Sequence, residues 1–371
     1  MSASPLRVLH IISPVRQGGG ESLLASLTIG KGADEFVALF YRSTQFETTL
    51  TSGGVPWQRL TSISLGDGKG RFGSALGALY GLPGLVRLLR LIRRRRPAIV
   101  HVHSFPASVW VAALKALGWI DTPTLLTRHS LYAQHGAATR YVLRWMFSQY
   151  DRISTVSEAS RQKMLAQFPG LTIDVVHNCV AEAFFAVAEP PPPQQRFVFL
   201  QLGRFTPAKN HALVLDALAS LLPSERARMS VWFAGAGETE LQVRAQAARL
   251  GLTSDEVRFL GFVPHADLPD VVAQAHFGLF PSSSEGFGIG AAECLAAGRP
   301  VLALNSDVMV EVIGPGGICV AADELADGFR EMLERGSALG AVAREWAQRY
   351  RIEQTRAGYQ RLYRELTGSG S

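Results

Sequence analysis

Cysteine is scarce in this chain of 371 residues: Cys179, Cys294 and Cys319 are the whole supply. So odd and sparse a set argues against a disulfide framework and for reduced thiols in a cytosolic setting. Long apolar runs are missing too. None reaches the roughly 18 to 20 residues that a bilayer-spanning helix needs, so any membrane contact is expected to be peripheral. The opening "MSASPLRVLHIIS" holds too short an apolar run for a signal peptide and reads as a first strand. There is no short tandem repeat, and no Asp-x-Asp pair of the kind that would hold a metal-bound diphosphate. Charged residues make up only 18% of the chain while hydrophobic residues make up 47%, the balance of a folded protein with well-filled cores. Its length suggests two domains, at most three.

The net charge of +6 is modest, so its placement matters more than its size. Much of it lies in "RLLRLIRRRR", Arg87 to Arg96. One reading is the exposed face and C-terminal end of a helix, where cations suit the dipole. The other is a basic amphipathic surface resting on anionic membrane, because Leu85, Leu88, Leu89 and Ile92 recur among the arginines at helical spacing. Nucleic acid is not an expected partner, since no interleaved aromatics or reading motif accompany the arginines.

Apolar strand-like runs alternate with helical patterns through the first half: "RVLHII", "FVALFY", "AIVHVH", "TLLTRH" and "RISTVS" are the strands. That alternation signals a parallel sheet covered on both faces. Four consecutive prolines in "AVAEPPPPQQR", Ala186 to Arg196, then interrupt it as a stiff connector. The rhythm restarts with "FVFLQL", "SVWFAG", "VRFLG", "FGLFPS" and "PVLAL". The expected organisation is a first Rossmann-like domain over residues 1–185, a linker over 186–196, a second such domain over 197–345 and a C-terminal helix with a tail over 346–371, which could pack on either domain.

Ligands of such sheets bind at the carboxyl ends of the strands, so motifs just after strands carry most weight. In "LGRFTPAKN", Arg204 and Lys209 sit in a loop that opens a helix, where two cations and free amides can meet one anion. In "PSSSEGFGIGAAECLAAG", Gly286, Gly288 and Gly290 leave backbone uncovered at a helix start. Glu285 falls in the turn and Glu293 in the second helical turn. Eight positions at about 1.5 Å each give up to roughly 12 Å, the scale of a nucleotide sugar from hexose to ribose. His101 and His103 point to one face of a strand. They are read as an acceptor-side contact or as internally satisfied histidines; a metal would want a third ligand, and none is evident from sequence. His129 ends a strand beside Arg128, and Glu21 could simply be a first-turn acid.

Together, "GRFTPAKN" and "SSSEGFGIGAAE" resemble the donor domain of retaining GT-B glycosyltransferases of the family 4 type, with an Arg and Lys pair upstream of a Glu, seven residues, Glu signature. The resemblance covers nearly the whole chain. "VRQGGGES" is similar to the family's glycine-rich loop, "IVHVHS" to its His-x-His strand end, "LLTRHS" to its histidine loop, "STVSEASR" to its serine-capped helix and "VVHNCV" to its segment leading toward the hinge.

The resemblance implies two Rossmann-like domains facing a cleft and no cofactor or metal. Arg204 and Lys209 would hold the diphosphate and stabilise the departing nucleotide. Glu285 would meet sugar hydroxyls near the amides of Gly286, Phe287, Gly288 and Ile289, and Glu293 would grip the ribose. Phe262 and Val263 would flank the base. Gly18, Gly19 and Gly20 would let amides approach the phosphates, His129 would face the reacting centre, and His101, His103, Arg128 and Ser130 would lie on the acceptor side. After "PVLAL" the chain departs from the family pattern: Glu311 fits its expected acid, but paired glycines and a proline are missing, leaving Asn305, Ser306 and Asp307 as specificity candidates.

The expected activity is transfer of a sugar from a nucleoside diphosphate donor, UDP- or GDP-linked, to a hydroxyl acceptor with retention of configuration, in making cell-surface glycans, glycolipids or glycosides. Arg87 to Arg96 point to a lipid-linked or membrane-proximal acceptor at the inner face of the cytoplasmic membrane. The alternatives are a sugar-nucleotide epimerase of the same fold and a non-catalytic sugar-nucleotide sensor.

Overall fold

The computed structural model describes residues 6–14, 19–30, 34–61, 82–129, 136–190, 192–193 and 195–368. Two compact units emerge: residues 1–178 with 353–371, and residues 179–352. The proline run therefore lies inside the second unit, and the C-terminal helix belongs to the first from Glu353 onward.

The first unit holds a parallel sheet of seven strands, β1 (Val8–Ile12), β2 (Glu35–Leu39), β3 (Trp57–Arg59), β4 (Ile99–Val102), β5 (Thr124–Arg128), β6 (Arg152–Thr155) and β7 (Ile173–Val175), in the order β3-β2-β1-β4-β5-β6-β7. Alternation splits its residues between two faces. Leu9, Ile11, Val100, Val102 and Leu126 join one core with Leu88, Leu91, Val111, Met146 and Phe147 of the overlying helices. On the opposite face Ile12, Val37 and Leu39 pack with Leu24, Phe46 and Leu50. The C-terminal helix Ile352–Thr367 buries Thr355, Tyr359, Leu362 and Tyr363.

Helix Leu82–Arg95 holds the basic segment. Leu88 is fully buried and Ile92 nearly so, while Leu85 and Leu89 pack on the same core. Its apolar stripe is thus turned into the protein, so these leucines and Ile92 are not free to rest on a membrane. Arg87, Arg90 and Arg93 to Arg96 stay exposed.

In the second unit, β8 (Phe197–Leu202), β9 (Met229–Ala234), β10 (Val257–Gly261), β11 (Phe277–Phe280), β12 (Val301–Leu304) and β13 (Gly317–Val320) form a parallel sheet in the order β10-β9-β8-β11-β12-β13. Its core is rich in phenylalanine: Phe199 lies 4.9 Å from both Phe277 and Phe329, centroid to centroid. Burying each such ring is worth about 1.5 to 3 kcal/mol. Arg299 is fully buried among backbone carbonyls, reaching Val272 and Ala275 at 3.1 Å, Ala273 at 2.9 Å, Ala188 at 2.6 Å and also Ala297. Burial lowers its pKa to about 10, and the carbonyls supply the acceptors that water would have given.

Candidate active site

In the second sheet the strand order reverses between β8 and β11, which are hydrogen-bonded neighbours. Open sheets of this type bind ligands at that switch point. The loop after β8 carries Arg204 and Lys209, and the loop after β11 carries Glu285. The two are stitched together: Ser283 N donates to Ala208 O at 2.9 Å and Asn210 Nδ2 to Pro281 O at 2.8 Å. Buried Gln201 donates to Lys209 O at 2.7 Å, fixing the loop from below. Glycine is required at 235, where a Cβ would sit 1.9 Å from Gly203 O, so β9 could not approach the β8 loop with any side chain there.

Lys209 Nζ forms an ion pair with Glu285 Oε1. The two side chains are only 24% and 14% exposed, so the pair is partly shielded from solvent. Arg204 is exposed, and no ion pair of its guanidinium occurs among the described residues. An anion arriving here meets one open cation and one already neutralised by Glu285.

The chain after Glu285 turns through Gly286 and Phe287 to Gly288, whose φ of 85° lies in the left-handed region. A Cβ there would also fall 2.2 Å from Met309 Cε. Phe287 is buried edge-on against Tyr350, at 5.2 Å between centroids. Helix Ile289–Ala296 begins next, as the sequence pattern predicts, and Gly298 lies just past its end. The first amides of a helix lack intrahelical partners and carry the positive end of its dipole.

Glu293 is buried at 3% exposure and its Oε1 lies 2.8 Å from His265 Nε2. That bond raises the His265 pKa above the ordinary imidazole value against the opposing effect of burial. His265 was not among the residues picked out by sequence. It ties the loop after β10, with exposed Phe262 and half-buried Val263, to the helix that carries Glu293. Cys294 is fully buried and its thiol pKa is pushed far up by burial, in keeping with a core filler. Ser306 caps helix Asp307–Ile313 by accepting from Met309 N at 3.3 Å.

The first unit collects histidines instead. His101 and His103 do share a face, and a third ring, His10 of β1, joins them. His10 was not among the residues picked out by sequence. Ligand nitrogens of the three lie within 4.8 Å of one another, a spacing a metal could use. Every ring nitrogen of the three is engaged, however. His101 meets Tyr363 OH and Thr127 Oγ1, both at 2.7 Å. His10 meets Glu35 at 2.5 Å and His103 at 2.9 Å, and His103 meets His129 Nε2 at 3.3 Å. The geometry is that of a hydrogen-bond network. Burial, then neighbouring imidazoles, holds the pKa values of His101 and His103 well below the usual value.

His129 is half-buried at the end of this network, and burial followed by the Arg128 charge lowers its pKa to about 4. Its Nδ1 is buried with no hydrogen-bond partner. Gly20, in the first turn of helix Gly19–Thr28, lies under the ring, where a Cβ would stand 3.4 Å from His129 Cγ. Half-buried Arg128 closes β5. Gly18 and Ser130 lie outside the described residues.

Two parallel sheets, each with chemistry-bearing side chains at its switch point, define a two-domain Rossmann-like protein of the GT-B fold. Residues 185–350 match the family model for glycosyl transferases group 1, and residues 59–184 match that for glycosyltransferase family 4. The chain belongs to this family of glycosyltransferases. It is 29% identical to a glycogen synthase of Mycobacterium tuberculosis over 277 residues, 69% of this chain but only 65% of that protein. With a phosphatidyl-myo-inositol mannosyltransferase of the same organism it shares 27% identity over 293 residues, 74% of this chain and 75% of the relative. Among solved structures, HepE of Anabaena in complex with UDP superposes with a TM-score of 0.79 at 20% identity, covering 97% of this chain and all of that one.

Proposed function

We propose that the protein is a retaining, metal-independent glycosyltransferase that moves a hexose from a UDP- or GDP-sugar to a hydroxyl acceptor. The observation that carries this reading is the Lys209–Glu285 pair across the switch point of the second sheet, beside a helix start and exposed Arg204. A diphosphate would draw Lys209 toward its oxygens while Glu285 turns to the hexose hydroxyls. Arg204 and the dipole of helix Ile289–Ala296 would stabilise the leaving nucleotide, which is differential stabilisation of developing charge. Glu293, oriented by His265, would accept from the ribose hydroxyls, with Phe262 and Val263 flanking the base. In the retaining course, the bond from the anomeric carbon to the phosphate oxygen breaks. The acceptor oxygen bonds on the same face, and its proton passes to the leaving phosphate. His129, above Gly20, would meet a substrate hydroxyl in the first unit, with Arg128 nearby.

The acceptor is read as lipid-linked. Support comes from Arg90, Arg93 and Arg94 and from exposed Tyr141, Val142 and Trp145 on helix Ala137–Ser148, which shares its core with the basic helix. Aromatic and basic side chains together suit an anionic interface.

A panel of UDP-, GDP-, ADP- and dTDP-sugars, with chelator present, tests the reading. Slow release of free nucleotide with one donor is the expected result. Conversion to a new sugar nucleotide would point to an epimerase, and thermal stabilisation without turnover to a sensor.

A further inference from the structure

Four side chains, on or just after four neighbouring strands, form one unbranched chain of hydrogen bonds. Glu35 Oε2 lies 2.5 Å from His10 Nε2, His10 Nδ1 2.9 Å from His103 Nε2, and His103 Nδ1 3.3 Å from His129 Nε2. At one end the Glu35 side chain is 19% exposed; at the other, His129 Nδ1 is buried and unpartnered.

A neutral imidazole carries one proton on two nitrogens, so in such a chain the choice at one end fixes every ring. An ionised Glu35 can only accept. His10 must then donate from Nε2, leaving its Nδ1 to accept from His103 Nε2–H. By the same step His103 Nδ1 accepts from His129 Nε2–H, and His129 Nδ1 is left as a bare lone pair. Burial of His103 and His129 and the charge of Arg128 beside His129 favour neutral imidazoles at these two rings, consistent with their lowered pKa values. His101 lies tilted against His103 at 3.9 Å between centroids but stays outside the chain, since Tyr363 and Thr127 occupy its nitrogens; Tyr359 lies 5.0 Å from it, centroid to centroid.

We propose that Glu35 is a positioning residue which, acting through His10 and His103, fixes the tautomer of His129 and presents its Nδ1 as the acceptor for a substrate hydroxyl. The hydroxyl contact rests on the transferase reading above; the tautomer does not. An unpartnered buried acceptor is costly unless a donor arrives, which is the state a ligand hydroxyl would relieve.

Two-bond proton–nitrogen spectra of the 15N-labelled full chain at neutral pH read the rings directly, without any variant. His10, His103 and His129 should all appear as Nε2–H tautomers. Glu35→Gln keeps the shape but can donate as well as accept, so proton density should shift to Nδ1 of His129. In transfer assays its kcat should fall about 10- to 100-fold with donor KM nearly unchanged. An imidazolium or an Nδ1–H at His129 in the wild type would overturn the proposal. So would unchanged ring nitrogens in Glu35→Gln, or one equivalent of zinc held by these rings against EDTA. Wild-type transfer by His129→Ala would instead remove the substrate contact, leaving the nitrogen shifts to judge the role of Glu35.

Discussion

Lys209 and Glu285, 76 positions apart in sequence, neutralise each other across the loops that follow β8 and β11. Removing either leaves a partly shielded charge without its partner, so the single variants should act differently on nucleotide binding. Lys209→Ala leaves a carboxylate facing the diphosphate, and Glu285→Ala frees the cation but removes the sugar contact. Both should cut turnover of the donor about 100- to 1000-fold. Nucleotide affinity, measured by calorimetry with the free nucleoside diphosphate, should fall in Lys209→Ala and hold or rise in Glu285→Ala. Equal loss of affinity in both would refute the division of labour.

The bond between His265 and Glu293 makes stability depend on pH with a definite sign. Because the folded pKa of His265 is raised above the ordinary value of about 6.5, its contribution is fully present below that value. It is lost as pH rises through the folded pKa. Melting temperatures of wild type and His265→Asn should therefore differ most at pH 6 and converge toward pH 8.5. A gap that widens with pH would contradict the assignment of Glu293 as the partner.

How much of this was legible in the sequence follows from what each residue needs. Long apolar strands such as "FVFLQL" and "FGLFPS" announce themselves because both faces of a parallel sheet are buried. The three-residue strands β3 and β7 do not, being too short for a pattern, and β13 begins on the last glycine of a Gly-Pro-Gly-Gly run that reads as a loop. Arg204, Lys209, Glu285 and Glu293 stand out by their positions after strands. Their partners do not: His265 lies 28 positions before Glu293 and meets it only through the fold. His10 offered one signal, a lone polar residue inside "VLHII" that a buried strand must satisfy. Its partners could not be read without the register that sets His10 opposite His101 and brings β2 alongside.

Arg299 supplies a stability test remote from the proposed chemistry. Its guanidinium gathers carbonyls from the helix Leu268–Ala273, the residues after it, Ala297 and Ala188. Arg299→Met would take the side-chain donor from those carbonyls, of which Ala297 O keeps Arg344 and Val272 O keeps Ala275 N, and should lower the free energy of unfolding by about 2 to 5 kcal/mol. Arg299→Lys should recover little, because one ammonium cannot reproduce a planar fork of donors. Urea denaturation followed by circular dichroism measures both, and a loss under about 1 kcal/mol in Arg299→Met would show that water replaces the missing donors.

The basic helix sets the last test, because its leucines are spent on the core and its charge is what it has left for a membrane. If that surface binds lipid, attraction should come mainly from the exposed arginines, at about 1 kcal/mol for each one near the surface. Triple replacement of Arg90, Arg93 and Arg94 by glutamine should then weaken binding to phosphatidylglycerol-containing vesicles by roughly two orders of magnitude at low salt. The wild type should itself release as ionic strength rises. Trp145→Ala should add a smaller, salt-insensitive loss. Hydrolysis of the donor in free solution should be unchanged in all of these variants, since all lie at exposed positions of the first unit. Binding to neutral phosphatidylcholine vesicles as tight as to anionic ones would refute an electrostatic contact through this helix.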